Sequence, residues 1–187
     1  MIRRIAILAA FPVFLLACGD SAVGPKTPAT AESKWAEKDK ELFDDGIDFS
    51  AVPMEPPAEL PDLNEMTVGR RAFASDGVMV VKCTSVTEES NGGASRIRIE
   101  VTKEGEPLLG KAPPENPLVL KIDARSDLYG TAHAEPGKLM GHKWVISFKR
   151  YAGEDGEVVV HFHLSANHAA VKKAISDAAL KREFYGH

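Results

Sequence analysis

The chain has 187 residues and a formal net charge of −4, and 44% of its residues are hydrophobic, which is close to the average of globular proteins. This length suits one domain with appended segments. The acidic balance argues against a protein that binds nucleic acid by general attraction to phosphate, and two cysteines are too few for a disulfide-rich scaffold.

The amino terminus has the pattern of an export signal. Arg3 and Arg4 precede an apolar run of thirteen residues, from Ile5 to Ala17. As a helix this run would rise about 20 Å, which is too short for a hydrocarbon core of about 30 Å. A short basic stretch followed by a short apolar stretch is typical of a signal peptide, so we assign residues 1–17 to one.

The end of the apolar run, Leu15-Leu16-Ala17-Cys18, resembles the lipobox of bacterial lipoproteins. The resemblance implies cleavage before Cys18, diacylation of its sulfur, and further acylation of the new amino terminus by a chain such as palmitate. In that family an aspartate directly after the cysteine favours the inner membrane. Gly19 stands there in this chain, so we expect a lipid-anchored protein on the periplasmic face of the outer membrane. An ordinary signal peptide is the alternative.

The segments that follow Cys18 are predicted to connect the anchor to a folded domain. Residues 18–32 are assigned to the lipidated cysteine and a flexible tether, because they are rich in small and polar residues and lack an apolar period. Residues 33–67 are assigned to a short helix over 33–45, ended by Gly46, and an extended proline-rich stretch. The helix either packs on the domain or binds a partner. The proline-rich stretch is either a second linker or a covering of the domain surface.

Residues 68–187 have the pattern of a β domain. Strands are predicted for five segments with β-branched or alternating residues: 77–87, 95–103, 118–123, 142–151 and 157–164. Asn91-Gly92-Gly93 predicts a hairpin between the first two strands, and residues 153–156 predict another between the last two.

Two loops and one helix complete this predicted domain. Residues 104–117 and 124–141 are predicted as loops, and we expect the longer one to carry a variable binding surface. A helix is predicted for residues 167–185, capped by Asn167 or Ser165, with its apolar stripe on Val171, Ile175 and Ala178.

These elements predict a mainly β fold with a C-terminal helix. The strands form either a small five-stranded antiparallel OB-like barrel or coiled sheet, or an open antiparallel sheet packed by one helix (α+β). Leu108-Leu109-Gly110-Lys111 and the segment 141–148 are similar to sequences in the OB-type barrels of netrin and metalloproteinase-inhibitor domains. Those families carry several disulfides that this chain cannot form, so the resemblance implies architecture alone.

His161 and His163 are the candidate chemical site. Alternate residues of a strand project from one face, so the two imidazoles would stand about 7 Å apart, a spacing found in Zn²⁺ sites. His142 and His168 are candidates for a third ligand. We expect this histidine pair on the outer face of the strand, because the core face is predicted to hold Val158, Val160, Phe162 and Leu164.

The remaining motifs favour binding over catalysis. The sequence has no Gly-x-Ser-x-Gly elbow, no His-Glu-x-x-His helix and no phosphate-binding glycine loop. Asp44-Asp45 and Glu88-Glu89 are expected in solvated turns or helix ends, and Cys83, in an apolar run, is expected in the core. We therefore predict a non-catalytic envelope lipoprotein without a cofactor that binds another envelope protein. The alternative is a metal-binding protein centred on His161 and His163, and a weaker third possibility is a substrate-capturing lipoprotein. Nucleic acid is excluded as a partner by the predicted export.

Overall fold

The computed structural model describes residues 33–48, 64–91, 93–126, 129–153 and 157–185. These residues are mainly β with a carboxyl-terminal helix, which confirms the predicted fold class. The predicted signal peptide 1–17, Cys18, the tether and the prolines of residues 53–61 lie outside the described residues. Within the described ranges, every helix is too short or too polar to cross a membrane.

The described residues form seven strands and four α-helices. The strands are β1 Gly46–Ile47, β2 Gly77–Asn91, β3 Ala94–Lys103, β4 Leu109–Gly110, β5 Leu118–Asp123, β6 Lys143–Ala152 and β7 Val158–Ala166. The helices are α1 Glu37–Lys40, α2 Glu65–Ala74, α3 Tyr129–Ala134 and α4 Ala169–Tyr185, and a 3₁₀ turn spans Pro136–Lys138. The five predicted strands are confirmed as β2, β3, β5, β6 and β7.

The strands form one curled open sheet in the order β1-β7-β6-β2-β3-β5. All pairs are antiparallel except β1 with β7, and β4 pairs with the first two residues of β2. Within the described residues no ladder joins β5 to β7 or β1, so the sheet is a curled open half-barrel, which agrees with the predicted alternative of an open sheet packed by a helix.

The long strand β2 causes the curl, because it pairs on both sides over different parts of its length. Its first half pairs with β6 from Gly77 to Lys82, and its second half pairs with β3 from Val81 to Asn91. A register shift between Cys83 and Ser85 marks a bulge where the strand changes partners. A bulge bends a strand and increases its twist, which rolls the sheet around its inner face.

Two buried clusters fill the two faces of the sheet. The inner face holds the larger one, which includes Met79 and Cys83 of β2 and the predicted inward residues Ile97, Ile99 and Val101 of β3. The opposite face is covered by α2 and α4, whose apolar residues pack on β2 and β6; this second cluster comprises Val68, Ala72, Val78, Val145, Ala166, Val171, Ala174, Ile175 and Ala178. The predicted burial of Cys83 and the predicted stripe of α4 are both confirmed.

Three predictions about the helices need correction. The helix predicted over 33–45 is only the four-residue α1, and Gly46 begins β1 instead of ending a helix. Helix α2 was not predicted, and the loop predicted over 124–141 contains α3 and the 3₁₀ turn. Helix α4 begins at Ala169, and its first turn is capped by His168, whose Nδ1 accepts the Ala170 N–H at 3.2 Å.

The predicted core face of β7 is confirmed only in its second half. Phe162 and Leu164 are buried and Val160 packs against the inner cluster. Val158 is 45% exposed, because it lies where β7 leaves its hairpin with β6, beyond the side chains of the inner cluster. The alternation of a strand therefore predicts its orientation but not how far the core extends along it.

Candidate functional site

The predicted histidine pair lies on one face of β7, as the spacing required, but both side chains are largely covered. Although they project away from the predicted core face, they are covered because β1 adds to the edge of β7, with Gly46 opposite His163 and Ile47 opposite Leu164. This parallel pairing brings the chain around β1 across both imidazoles. We call the resulting group the histidine–carboxylate cluster, and it consists of Asp44, Asp45, Asp48, His161 and His163.

Both ring nitrogens of His163 contact carboxylates. Nδ1 lies 2.7 Å from Asp44 Oδ1 and Nε2 lies 3.0 Å from Asp48 Oδ1. A ring that donates from both nitrogens is an imidazolium. Burial by itself would lower the pKa of His163, but the hydrogen bonds to Asp44 and Asp48 outweigh it and raise that pKa. His163 is therefore held as a buried cation between two anions.

Arg71 of α2 supplies a second buried cation beside the cluster. Its Nε donates to the Leu42 carbonyl at 2.6 Å. Burial lowers the pKa of Arg71, and the charges of Asp48 and Asp44 oppose that effect. Burial alone would raise the pKa of Asp48, but the hydrogen bond and charge of His163 and the charge of Arg71 lower it. Two cations and two carboxylates thus nearly neutralise one another.

His161 forms the second half of the cluster. Its Nδ1 lies 2.8 Å from Asp45 Oδ2, and its ring stacks on Trp35 with 3.8 Å between centroids and 8° between planes. Asp45 also accepts the Phe162 N–H at 3.1 Å, and its φ of 51° lies in the left-handed region, which aspartate tolerates better than most residues. The carboxylate of Asp45 therefore caps the edge of β7 just before β1 begins to pair with it.

The other two predicted ligands lie elsewhere. Ser147 pairs with His163, whereas Trp144 pairs with Ala166, so His142, just before β6, and His168, just after β7, both lie beyond the other end of this strand pair. Three strand residues, from His163 to Ala166, already span about 10 Å. The four histidines therefore do not converge on one point.

The contacts of the cluster hold the chain around β1 against β7, and this arrangement does not favour metal coordination. Both nitrogens of His163 are engaged, and a protonated imidazole cannot ligate a metal. In the ranges that the structure describes, no three His, Cys, Asp or Glu side chains are arranged to hold a metal ion. Zn²⁺ binding by His161 and His163 stays a prediction.

A second candidate site is the groove between α2 and α4, which we call the helix groove. It has a volume of about 550 Å³. Its floor is formed by small residues, Gly69, Ala174 and Ala178, and its apolar walls by Leu42, Met66 and Phe73. Met66 is 74% exposed and Phe73 is 42% exposed. The charged rim consists of Glu65, Arg70, Asp177 and Lys181.

The two helices run in the same direction on either side of this groove. Gly69, in the first half of α2, faces the Ala174 carbonyl near the start of α4. Arg182, near the end of α4, donates from Nη1 to the carbonyl of Ser75 just after α2, at 3.1 Å. Glu65 therefore lies at one end of the groove and Lys181 lies toward the other.

Sequence reasoning missed both the helix groove and the acidic half of the cluster. A signal for α2 was present, because Asn64 is a favoured cap and its side chain accepts the Thr67 N–H at 3.0 Å. The buried residues Val68, Arg71 and Ala72 follow helical spacing. No local signal joins Asp44 or Asp48 to His163, because more than one hundred residues separate them.

Comparison with known proteins adds no family assignment. No protein-family model matches the chain, and no curated protein sequence matches it significantly.

Proposed function

We propose that this chain is a non-catalytic envelope lipoprotein, anchored through Cys18, that binds a protein partner through the helix groove. The lipobox supports the anchor, and Gly19 supports the outer membrane. Three acyl chains hold a protein firmly to a bilayer, whereas one chain gives marginal binding. The tether of residues 19–32 would let the domain work at up to about 45–50 Å from the surface.

The exposed apolar lining of the helix groove is the observation that carries this proposal. Removing an apolar side chain such as Met66 from water stabilises a complex by about 25 cal/mol for each Å² of apolar area that is buried. In the groove such side chains surround a concave floor of small residues, inside a rim of charged side chains. An apolar centre inside a polar rim is the usual anatomy of a protein interface, and grooves between helices commonly accept apolar side chains or helices.

Photo-crosslinking from the groove tests the proposed function. A photoreactive amino acid replaces Met66 in the full chain, and intact cells are irradiated. Met140 provides a matched control, because it is also an exposed methionine, at 51%, and lies outside the groove. We expect a discrete crosslinked product from position 66 and none from position 140. Absence of a product at position 66, or equal products at both positions, would contradict the proposal.

A further inference from the structure

We propose that the partner of the helix groove is a second copy of this chain, docked by two-fold symmetry with its own groove turned end for end. This inference rests on the function proposed above and names the partner for the same site. The basis is that this face is self-complementary: its charges and its exposed apolar side chains match those of the same face in a second, inverted copy.

The charges of the rim have opposite signs at opposite ends. Within one copy, Arg70 lies 3.5 Å from Glu41, and Asp177 lies 2.9 Å from Lys173. Glu65, whose charge also acts on Lys173 of its own copy, lies at one end, and Lys181 lies toward the other; these two side chains would face a partner. A two-fold axis through the middle of the groove exchanges its ends, so each Glu65 would face Lys181 of the other copy. The same pair forms twice, as a two-fold interface requires.

The apolar side chains follow the same exchange. Met66 lies near the amino-terminal end of α2, whereas Phe184 and Tyr185, each 82% exposed, lie at the carboxyl-terminal end of α4. Phe184 follows Lys181 by three residues and Asp177 by seven, so these side chains share one face of α4. The end-for-end arrangement brings Met66 of one copy to the aromatic end of the other, where a thioether and an aromatic ring attract each other.

The exposed aromatic surface is large enough to matter for a stable dimer. An aromatic side chain presents about 150–250 Å², so the exposed parts of Phe73, Phe184 and Tyr185 offer about 300–500 Å² in each copy. A standard interface buries about 800 Å² for each partner. Met66 and the groove floor supply further apolar contact, so this face approaches the required area.

Chemical crosslinking of the full chain in cells tests the symmetric dimer. Cysteine replaces Arg70, which lies midway along the groove and hence near the proposed axis, and a short bifunctional maleimide is added. Cys83 is buried, with a pKa raised by burial to about 11, so it contributes little background. We expect a product of twice the chain mass that joins two differently tagged copies, and no such product from Met140→Cys.

Charge reversal supplies the decisive comparison in the same assay. Glu65→Lys and Lys181→Glu should each reduce the Arg70→Cys dimer about tenfold, because each places two like-charged pairs in the interface. The double variant Glu65→Lys/Lys181→Glu should restore the dimer to within about twofold, because both pairs regain opposite charge. Failure of the double variant to recover, or a yield no higher than that of Met140→Cys, would overturn the second copy as partner.

The two proposals fail in different ways. A crosslink from position 66 or 70 to a different protein, with no homodimer, would overturn the second copy and leave the groove as a binding site. Absence of any product from the photoreactive residue at position 66 would overturn the proposed function itself.

Discussion

His163 shows how one residue fastens the amino-terminal part of the described chain to the sheet. Its ring bridges Asp44 and Asp48, on either side of β1, while it belongs to the central part of β7. Removing one partner of a buried charge pair leaves the others desolvated and uncompensated. Loss of His163 would therefore destabilise the fold mainly because it would leave the charges of Asp44 and Asp48 without a partner.

Replacement of His163 by alanine should destabilise the fold. We expect a loss of about 2–3 kcal/mol in the free energy of unfolding, less than the roughly 3–5 kcal/mol for a fully buried pair because Asp44 and Asp48 are partly exposed. Urea unfolding of the purified chain measures it. His133→Ala is the control, since His133 is exposed and contacts a single carboxylate, Glu88, at 3.5 Å. Equal stabilities of the two variants would contradict the bridging role.

The raised pKa of His163 predicts a pH dependence of stability with a definite sign. Above pH 6.5 the unfolded chain releases this proton while the folded chain keeps it, so the folded state binds more protons and stability falls as pH rises. The contribution is complete below pH 6.5 and is lost as the pH passes through the folded pKa. Urea unfolding at several pH values should show this fall in the wild type and a flatter profile in His163→Gln.

The carboxyl groups of Asp48 and Asp45 affect how stability depends on pH in acidic solution. The lowered pKa of Asp48 adds stability that is present above pH 3.8 and is lost as pH falls through its folded pKa. Burial raises the pKa of Asp45 despite its hydrogen bond to His161, so ionisation of Asp45 opposes folding. Stability should therefore be greatest in weakly acidic solution, above the transition of Asp48 and below that of His163.

At the residue scale, the sequence predicts that His161 and His163 share a face but does not predict which side chains they contact. A period of two placed His161 and His163 on one face, and the structure agrees. Their carboxylate partners lie more than one hundred residues away and are brought close only by the pairing of β1 with β7. A two-residue strand has too little pattern to be recognised, so the burial of the histidines was not predictable.

Among the elements, the short strand β4 depends on a glycine. Gly110 has a φ of 69°, and a Cβ built on it would collide with the Asp76 backbone. Lys111 donates its N–H to the Asp76 carbonyl at 3.2 Å. The close approach of these two backbones lets β4 pair with the start of β2, beside Gly77.

Comparing Gly110→Ala with Gly105→Ala should separate two contributions to the loss of stability, the steric overlap at Gly110 and the strain of a left-handed backbone. Gly105 has a similar φ of 77° but open space around its Cβ. We expect Gly105→Ala to cost about 1 kcal/mol from the left-handed backbone alone, and Gly110→Ala to cost about 1–3 kcal/mol more from steric overlap. Thermal unfolding of both variants measures the difference, and equal costs would show that β4 can move away freely.

The elements that the sequence predicted well are the ones with repeated local pattern. β3 alternates apolar and charged residues along its length, and its hairpin with β2 contains two glycines, so both followed from the sequence. α2 follows a proline-rich segment and has Gly69 on the side that faces α4, where an apolar side chain would have marked the helical period. α1 ends at Lys40, and a helix cannot continue to Gly46, because Asp45 has a positive φ and the next two residues pair with β7 as β1.

At the scale of the whole molecule, we propose that a lipid anchor and a tether hold a domain with an exposed groove at the membrane. Membrane confinement raises the effective concentration of a tethered domain toward partners on the same surface. A weak groove interaction would then be sufficient on the membrane and insufficient in dilute solution. Composition and the lipobox predict the membrane location. The groove depends on the packing of α2 against α4, which no local sequence pattern predicts.

The most direct measurement of tethered binding is the yield of the crosslink from position 66 in cells that make the anchored chain or a variant in which an ordinary cleavable signal peptide replaces residues 1–18. We expect the anchored chain to remain in the membrane fraction and give the product, and the unanchored chain to become soluble and give several-fold less. The cellular amounts of the two chains must be equal for this comparison. Unchanged membrane association of the variant that lacks residues 1–18, or an unchanged yield from a soluble chain, would contradict the claim that this protein binds its partner as a tethered module.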